Sequence, residues 1–109
     1  MAVYVDPAQH PYGRMIMCHL WADTEAELFA MVDMIGVDRK WVQRPPNASW
    51  LHFDIAKGKR ALAVAAGAIE TDRYGPALHL ARANGNMKMI ETIERLRTRR
   101  AQRDQQCER

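Results

Sequence analysis

The sequence predicts a small α/β fold: a mixed β-sheet of about four to five strands packed with helices, followed by a C-terminal αα-hairpin. Three observations carry that expectation. Residues 50–55 (Trp-Leu-His-Phe-Asp-Ile) alternate in the way of a half-buried strand. Leu28, Met31, Val32 and Ile35 recur at i, i+3, i+4 and i+7, the stripe of an amphipathic helix. Short strand-like runs alternate with helical ones, in the order β-β-α-(β)-β-α-β-α-α.

Taken in order, residues 2–5 read as a short strand that ends at Asp6-Pro7. Residues 7–14 read as turn-rich, because Pro11 and Gly13 break regular structure. Met15 to Ala22 is apolar on both faces, which predicts a strand covered on both sides, with His19 as its one ionisable group. Thr24 and Glu27 have the spacing of a capping box, and Gly36 is the expected helix stop. Trp41 to Gln43 reads as a short edge strand and residues 44–49 as a loop, with the strand at 50–55 next. A second helix over 57–66 ends at Gly67, and residues 68–71 allow one more strand. Pro76 suits the first turn of a third helix running to Asn84-Gly85, and a last helix starts near Asn86. Residues 1–71 thus form an α/β core, and residues 72–109 an αα-hairpin with a basic tail in the same domain.

At 109 residues the chain suits a single domain with a modest core. No apolar run reaches the eighteen or more residues that span a bilayer, so a membrane role is not expected. Two cysteines, Cys18 and Cys107, give neither a disulfide framework nor metal-ligand spacing. A reduced, cytoplasmic setting is the expectation. The net charge of +3 is concentrated in residues 95–109, where six arginines face Asp104 and Glu108. Only that tail suggests an acidic partner, whether a host protein or nucleic acid. It has no aromatic residue for base stacking, and its arginines show no single clean stripe.

Several segments, once laid out, resemble a known family. They are Tyr4-Val5-Asp6, Pro11-Tyr12-Gly13-Arg14, Met17-Cys18-His19, Ala22-Asp23-Thr24, Glu27-Leu28, Ile35-Gly36-Val37, His52-Phe53-Asp54 and Lys59-Arg60-Ala61-Leu62-Ala63. In this order, over residues 2–71, the chain resembles small phage and bacterial proteins grouped as domain of unknown function 4031. That family usually carries a tyrosine where this chain has Phe53. The resemblance implies a phage or bacterial cytoplasmic origin, host cytoplasm if phage-encoded, and brings no established activity with it.

Function therefore has to come from the residues. Alternation places His52 and Asp54 on one strand face, about 6.5 Å apart. With His19 and Asp6 they form a candidate catalytic set: His52 as general acid or base, Asp54 and Asp6 to orient it or hold a cation. Two histidines with carboxylates can bind a divalent metal, although no dense motif such as H-E-x-x-H is present. Singly, His19 also suits a structural histidine, Asp23 a helix cap and Asp6 a turn former. Lys57 and Arg60 at the start of the second helix, with Arg14, would neutralise phosphate, and Trp21 and Trp50 offer stacking surfaces. The expected function is binding, with hydrolysis as a further step, of a phosphorylated small molecule or nucleotide. The alternative is a non-enzymatic phage accessory protein that grips a host protein or nucleic acid through its basic hairpin. The shared site requires His19 and Asp6 to lie beside His52 and Asp54 on one sheet face or at one sheet edge.

Overall fold

The computed structural model describes residues 2–7 and 10–107. In chain order its elements are β1 (Val3–Val5), β2 (His10–Tyr12), β3 (Met15–Ala22), α1 (Glu25–Ile35), a 3-10 turn (Arg39–Trp41), β4 (Phe53–Ala56), α2 (Lys57–Ala65), β5 (Ile69–Glu70), α3 (Gly75–Ala83) and α4 (Met87–Cys107). The chain divides into two compact units, Met1–Gly75 and Pro76–Arg109.

The first unit is a five-stranded mixed sheet in which β1 and β5 are parallel and the other pairs antiparallel. Its spine is β3. Met17 has both His10 and Ala56 as cross-strand partners, and Leu20 has both Val5 and Phe53. A strand has only two edges, so β1 and β2 lie end to end along one edge of β3 while β4 lines the other. This arrangement determines which side chains can meet across β3.

Alternation then separates two faces. Val5, Cys18, Leu20, Phe53 and Ile55 turn to one side and are buried with Leu28, Met31, Val32 and Ile35 of α1 and Ala63 of α2. Helix α1 starts where the capping box predicts: the Glu27 amide donates to Thr24 Oγ1 at 3.2 Å, and that hydroxyl donates to Glu27 Oε1 at 2.7 Å. It ends at Gly36, whose φ of 78° lies in the left-handed region that glycine enters without strain. Asp23 is not the cap; its carboxylate accepts from the Ala2 amide and the Tyr4 hydroxyl.

Burial also governs Cys18. Loss of solvent, with Asp6 nearby, pushes its thiol up to about 12. In a Cys107→Ser background, native protein is therefore expected to resist a thiol reagent at pH 8 and to react fully once unfolded in urea. Rapid labelling of the native chain would overturn this.

The strand composition differs from expectation in four places. The strand expected over 50–55 is β4 at Phe53–Ala56, with His52 just before it in an isolated bridge. Residues 10–12 form β2 rather than a turn, because Pro11 sits on an edge strand, where its missing N–H costs no ladder bond. Trp41 closes a 3-10 turn capped by the Asp38 side chain, and Gln43 makes only an isolated bridge to His52. Strand β3 is not covered along its whole length: Met15 and Ile16 are 45% and 43% exposed, and burial starts at Cys18.

The second unit is the expected αα-hairpin. Its turn is a left-handed Gly85 (φ 66°) with the Asn86 amide returning to the Ala81 carbonyl at 2.8 Å. Asn86 Oδ1 accepts from the Met89 amide at 3.1 Å and so caps α4. The basic tail is helical as far as Cys107, which places Arg95, Arg99 and Arg103 on one exposed stripe at four-residue spacing, a regularity the sequence reading did not find.

Candidate functional site

The sheet face opposite the α1–α2 core carries the ionisable groups. His19 stands at its centre because β3 does. Asp54 is its direct cross-strand partner on β4. Asp6, just past the end of β1, lies on the other edge of β3, and its amide donates to the His19 carbonyl at 3.3 Å. The Asp6 side chain then turns back: Oδ1 accepts from the His19 amide at 2.7 Å and Oδ2 from His19 Nδ1 at 2.6 Å. Further along the same edge, β2 supplies His10.

Three imidazoles converge on one oxygen. Asp54 Oδ1 lies 3.8 Å from His10 Nε2, 3.9 Å from His19 Nε2 and 3.6 Å from His52 Nε2. The ring centroids of His19 lie 4.8 Å from those of His10 and 5.3 Å from those of His52. The shared face expected for Asp6, His19, His52 and Asp54 is therefore observed as geometry.

Hydrogen bonds orient two of the rings. His52 Nδ1 lies 3.1 Å from the Trp50 carbonyl, which can only accept, so this nitrogen carries the hydrogen and Nε2 presents its lone pair. The Asp6 carboxylate orders His19 in the same way. The two rings are tuned in opposite directions. The hydrogen bond that His19 donates to Asp6 raises the His19 pKa above the ordinary imidazole value, against burial. Burial lowers that of His52, against the Trp50 carbonyl and Asp54.

Aromatic groups wall the cluster. The Trp50 ring stacks on His52 at 4.3 Å and 17°, and meets Trp21 edge-on at 5.7 Å. Trp21 is buried and stacks on Tyr4 at 5.8 Å, so it forms a wall rather than an open platform. Arg60 is occupied elsewhere: Nε donates to the Asp6 carbonyl at 2.8 Å and a terminal nitrogen donates to Glu70 at 3.0 Å. It anchors the segment that carries Asp6. Arg14, in the β2–β3 turn, and Lys57, at the start of α2, are exposed.

His10 is the member that sequence reasoning missed. Its signal was Gly13-Arg14, a two-residue connection between partners Tyr12 and Met15. Gly13 has φ 60° and Arg14 does not have positive φ, which is the type II′ hairpin turn. Reading Gly-X as a hairpin rather than as a breaker would have placed His10 opposite Met17, on the same face as His19.

A family model described as protein of unknown function (DUF4031) matches residues 3–83. The chain belongs to this family. Its members are grouped by sequence without an assigned activity, and the matched span holds every residue of the cluster. No curated protein and no solved structure matches the chain. Among the described residues, no helix is long and apolar enough to cross a membrane.

Proposed function

We propose that the sheet face around Asp54 binds a small phosphorylated ligand of nucleotide size and hydrolyses it. One observation carries this reading: His10, His19 and His52 all bring Nε2 to within 3.6–3.9 Å of Asp54 Oδ1. Groups that move protons in hydrolysis must stand within about 3 Å of the atoms they serve. A ligand atom seated among these four groups would meet that requirement from several sides. The His19–Asp6 pair and the His52–Trp50 carbonyl bond hold two of the rings in fixed orientation, as such chemistry needs. The half-buried Trp50 ring, stacked on His52, gives the site an aromatic border, and Arg14 and Lys57 are exposed cations of the same unit.

Isothermal titration against nucleoside mono-, di- and triphosphates, with phosphate release followed in parallel, tests the reading. One class is expected to bind, and its hydrolysis to slow at least about 100-fold in His52→Ala, the lower end of the scale for removing one positioned acid–base group. An undiminished rate in His52→Ala, or neither binding nor phosphate release with any nucleotide at millimolar concentration, would remove this function.

A further inference from the structure

We propose that His10, His19 and Asp54 hold a single divalent transition-metal ion of the zinc class at the centre of this face. One donor atom from each of the three residues lies within 4.8 Å of the others. The two Nε2–Oδ1 separations, 3.8 and 3.9 Å, are too long for hydrogen bonds. The three residues thus gather donor atoms around a gap that they do not fill with one another. Zinc bonds of about 2.0–2.1 Å at tetrahedral angles put neighbouring donors about 3.3 Å apart. The two separations from Asp54 close to that value by about half an ångström each, and the third, between the histidines and within 4.8 Å, by at most about one and a half.

The supporting contacts are those of a metal centre. A histidine that binds through Nε2 is commonly held by a carboxylate or carbonyl on Nδ1, which sets the tautomer and strengthens the donor. Asp6, 7% exposed, does this for His19 at 2.6 Å. It also accepts from the His19 amide, so ring and backbone are fixed together. The backbone adds a second constraint: His19 and Asp54 are register partners, so their separation is a property of the sheet.

The donor set selects the class of ion. Two imidazoles and one carboxylate suit Zn²⁺ and neighbouring first-row ions, whereas Ca²⁺ and Mg²⁺ prefer shells of oxygen. Three protein ligands leave room for water or another ligand, and the side chains of His10 and Asp54 are 40% and 38% exposed, so solvent reaches the site. His52 Nε2, 3.6 Å from Asp54 Oδ1, borders the same carboxylate. The inference goes beyond the proposed function, since the donor geometry holds whatever ligand follows. It also supplies a positive charge on a face that carries two carboxylates, which phosphate would otherwise avoid.

The test is zinc titration of the untagged full-length protein after removal of metals with chelator, by calorimetry, with Co²⁺ absorption as a second readout. One equivalent is expected to bind. His10→Ala, His19→Ala and Asp54→Ala are each expected to weaken it at least about 100-fold, and Asp6→Asn about 10–100-fold. His79→Ala, the remaining histidine, should match the parent chain, and Mg²⁺ should not compete. Circular dichroism on each variant guards against misfolding. Because His10 and Asp54 are partly exposed, those two variants decide the matter even where His19→Ala does not fold. No saturable zinc binding at tens of micromolar, or unchanged binding in folded His10→Ala and Asp54→Ala, would overturn the site. Zinc binding without nucleotide binding would keep the metal centre and remove the ligand reading. Nucleotide binding in chelator, with no zinc binding, would do the reverse.

Discussion

Phe53→Ala is expected to cost about 3–5 kcal/mol of unfolding free energy, the range for truncating a fully buried aromatic. Phe53 has no exposed surface, faces Leu20 across the sheet, and receives Phe29 edge-on at 5.9 Å and 90°. Its ring therefore joins β3, β4 and α1, and the cavity left behind has rigid strands on two sides that cannot collapse into it. A domain of this size has about 5–15 kcal/mol in total, so the variant would be near the edge of folding. Urea denaturation followed by tryptophan fluorescence gives the number. A loss below about 1 kcal/mol would show that the core repacks around the gap. Because Phe53 lies between His52 and Asp54, its loss should also disorder the site. A Phe53→Leu control, which keeps most of the volume, should retain both fold and site.

The second large effect is expected at Asp6. Removing its side chain in Asp6→Ala leaves the His19 amide and Nδ1 without their acceptor. The expected cost is about 2–3 kcal/mol, moderated because His19 keeps some contact with water. Asp6→Asn separates charge from hydrogen bonding through its pH dependence, measured in chelator. The hydrogen bond that His19 donates to Asp6 raises the His19 pKa, so the native state holds that proton more tightly than the unfolded chain. This contribution is fully present below about pH 6.5, the unfolded value, and is lost as pH rises through the higher native one. The stability gap between the parent and Asp6→Asn should therefore be wider at pH 5.5 than at 8.5, and a flat gap would refute the charged pair. His52 behaves in the opposite sense. Burial lowers its pKa, so its contribution is present above the ordinary value and is lost as pH falls through the lowered one. Burial, the largest cause, is common to both proteins and the Asp6 charge is the smallest of those acting on His52, so most of that slope cancels in the difference.

How much of this was legible beforehand depends on whether a signal was local. The His52–Asp54 pair follows from alternation alone, and the start and stop of α1 from Thr24, Glu27 and Gly36, because each is set by neighbours in sequence. The family was legible too, since its motifs are short and ordered, although the match extends to residue 83 rather than 71. Pairing across β3 was not legible. Nothing near Asp6 announces that β1 and β2 share one edge of that strand, and this is what brings Asp6 and His10 to the two ends of His19. Pro11 and Gly13 were misread because breaker residues mean different things in a central strand and at a hairpin on the rim. Met15 and Ile16 look like core by composition, yet they lie where β3 extends past its buried stretch. The role of Trp41–Gln43 depended on the Asp38 cap, a local bond that competes with strand pairing.

The Gly13-Arg14 turn has a consequence for how such a site can change over time. Adding or removing one residue in the connection would shift β2 by a single step, and a one-step shift sends every side chain of that strand to the other face. His10 would leave the cluster while His19, His52, Asp6 and Asp54 stayed in place. The number of imidazoles on this face is thus governed by the length of a loop on the rim, not by substitutions in the core. Among relatives, a third imidazole can be gained or discarded by insertion and deletion alone, with the scaffold left untouched.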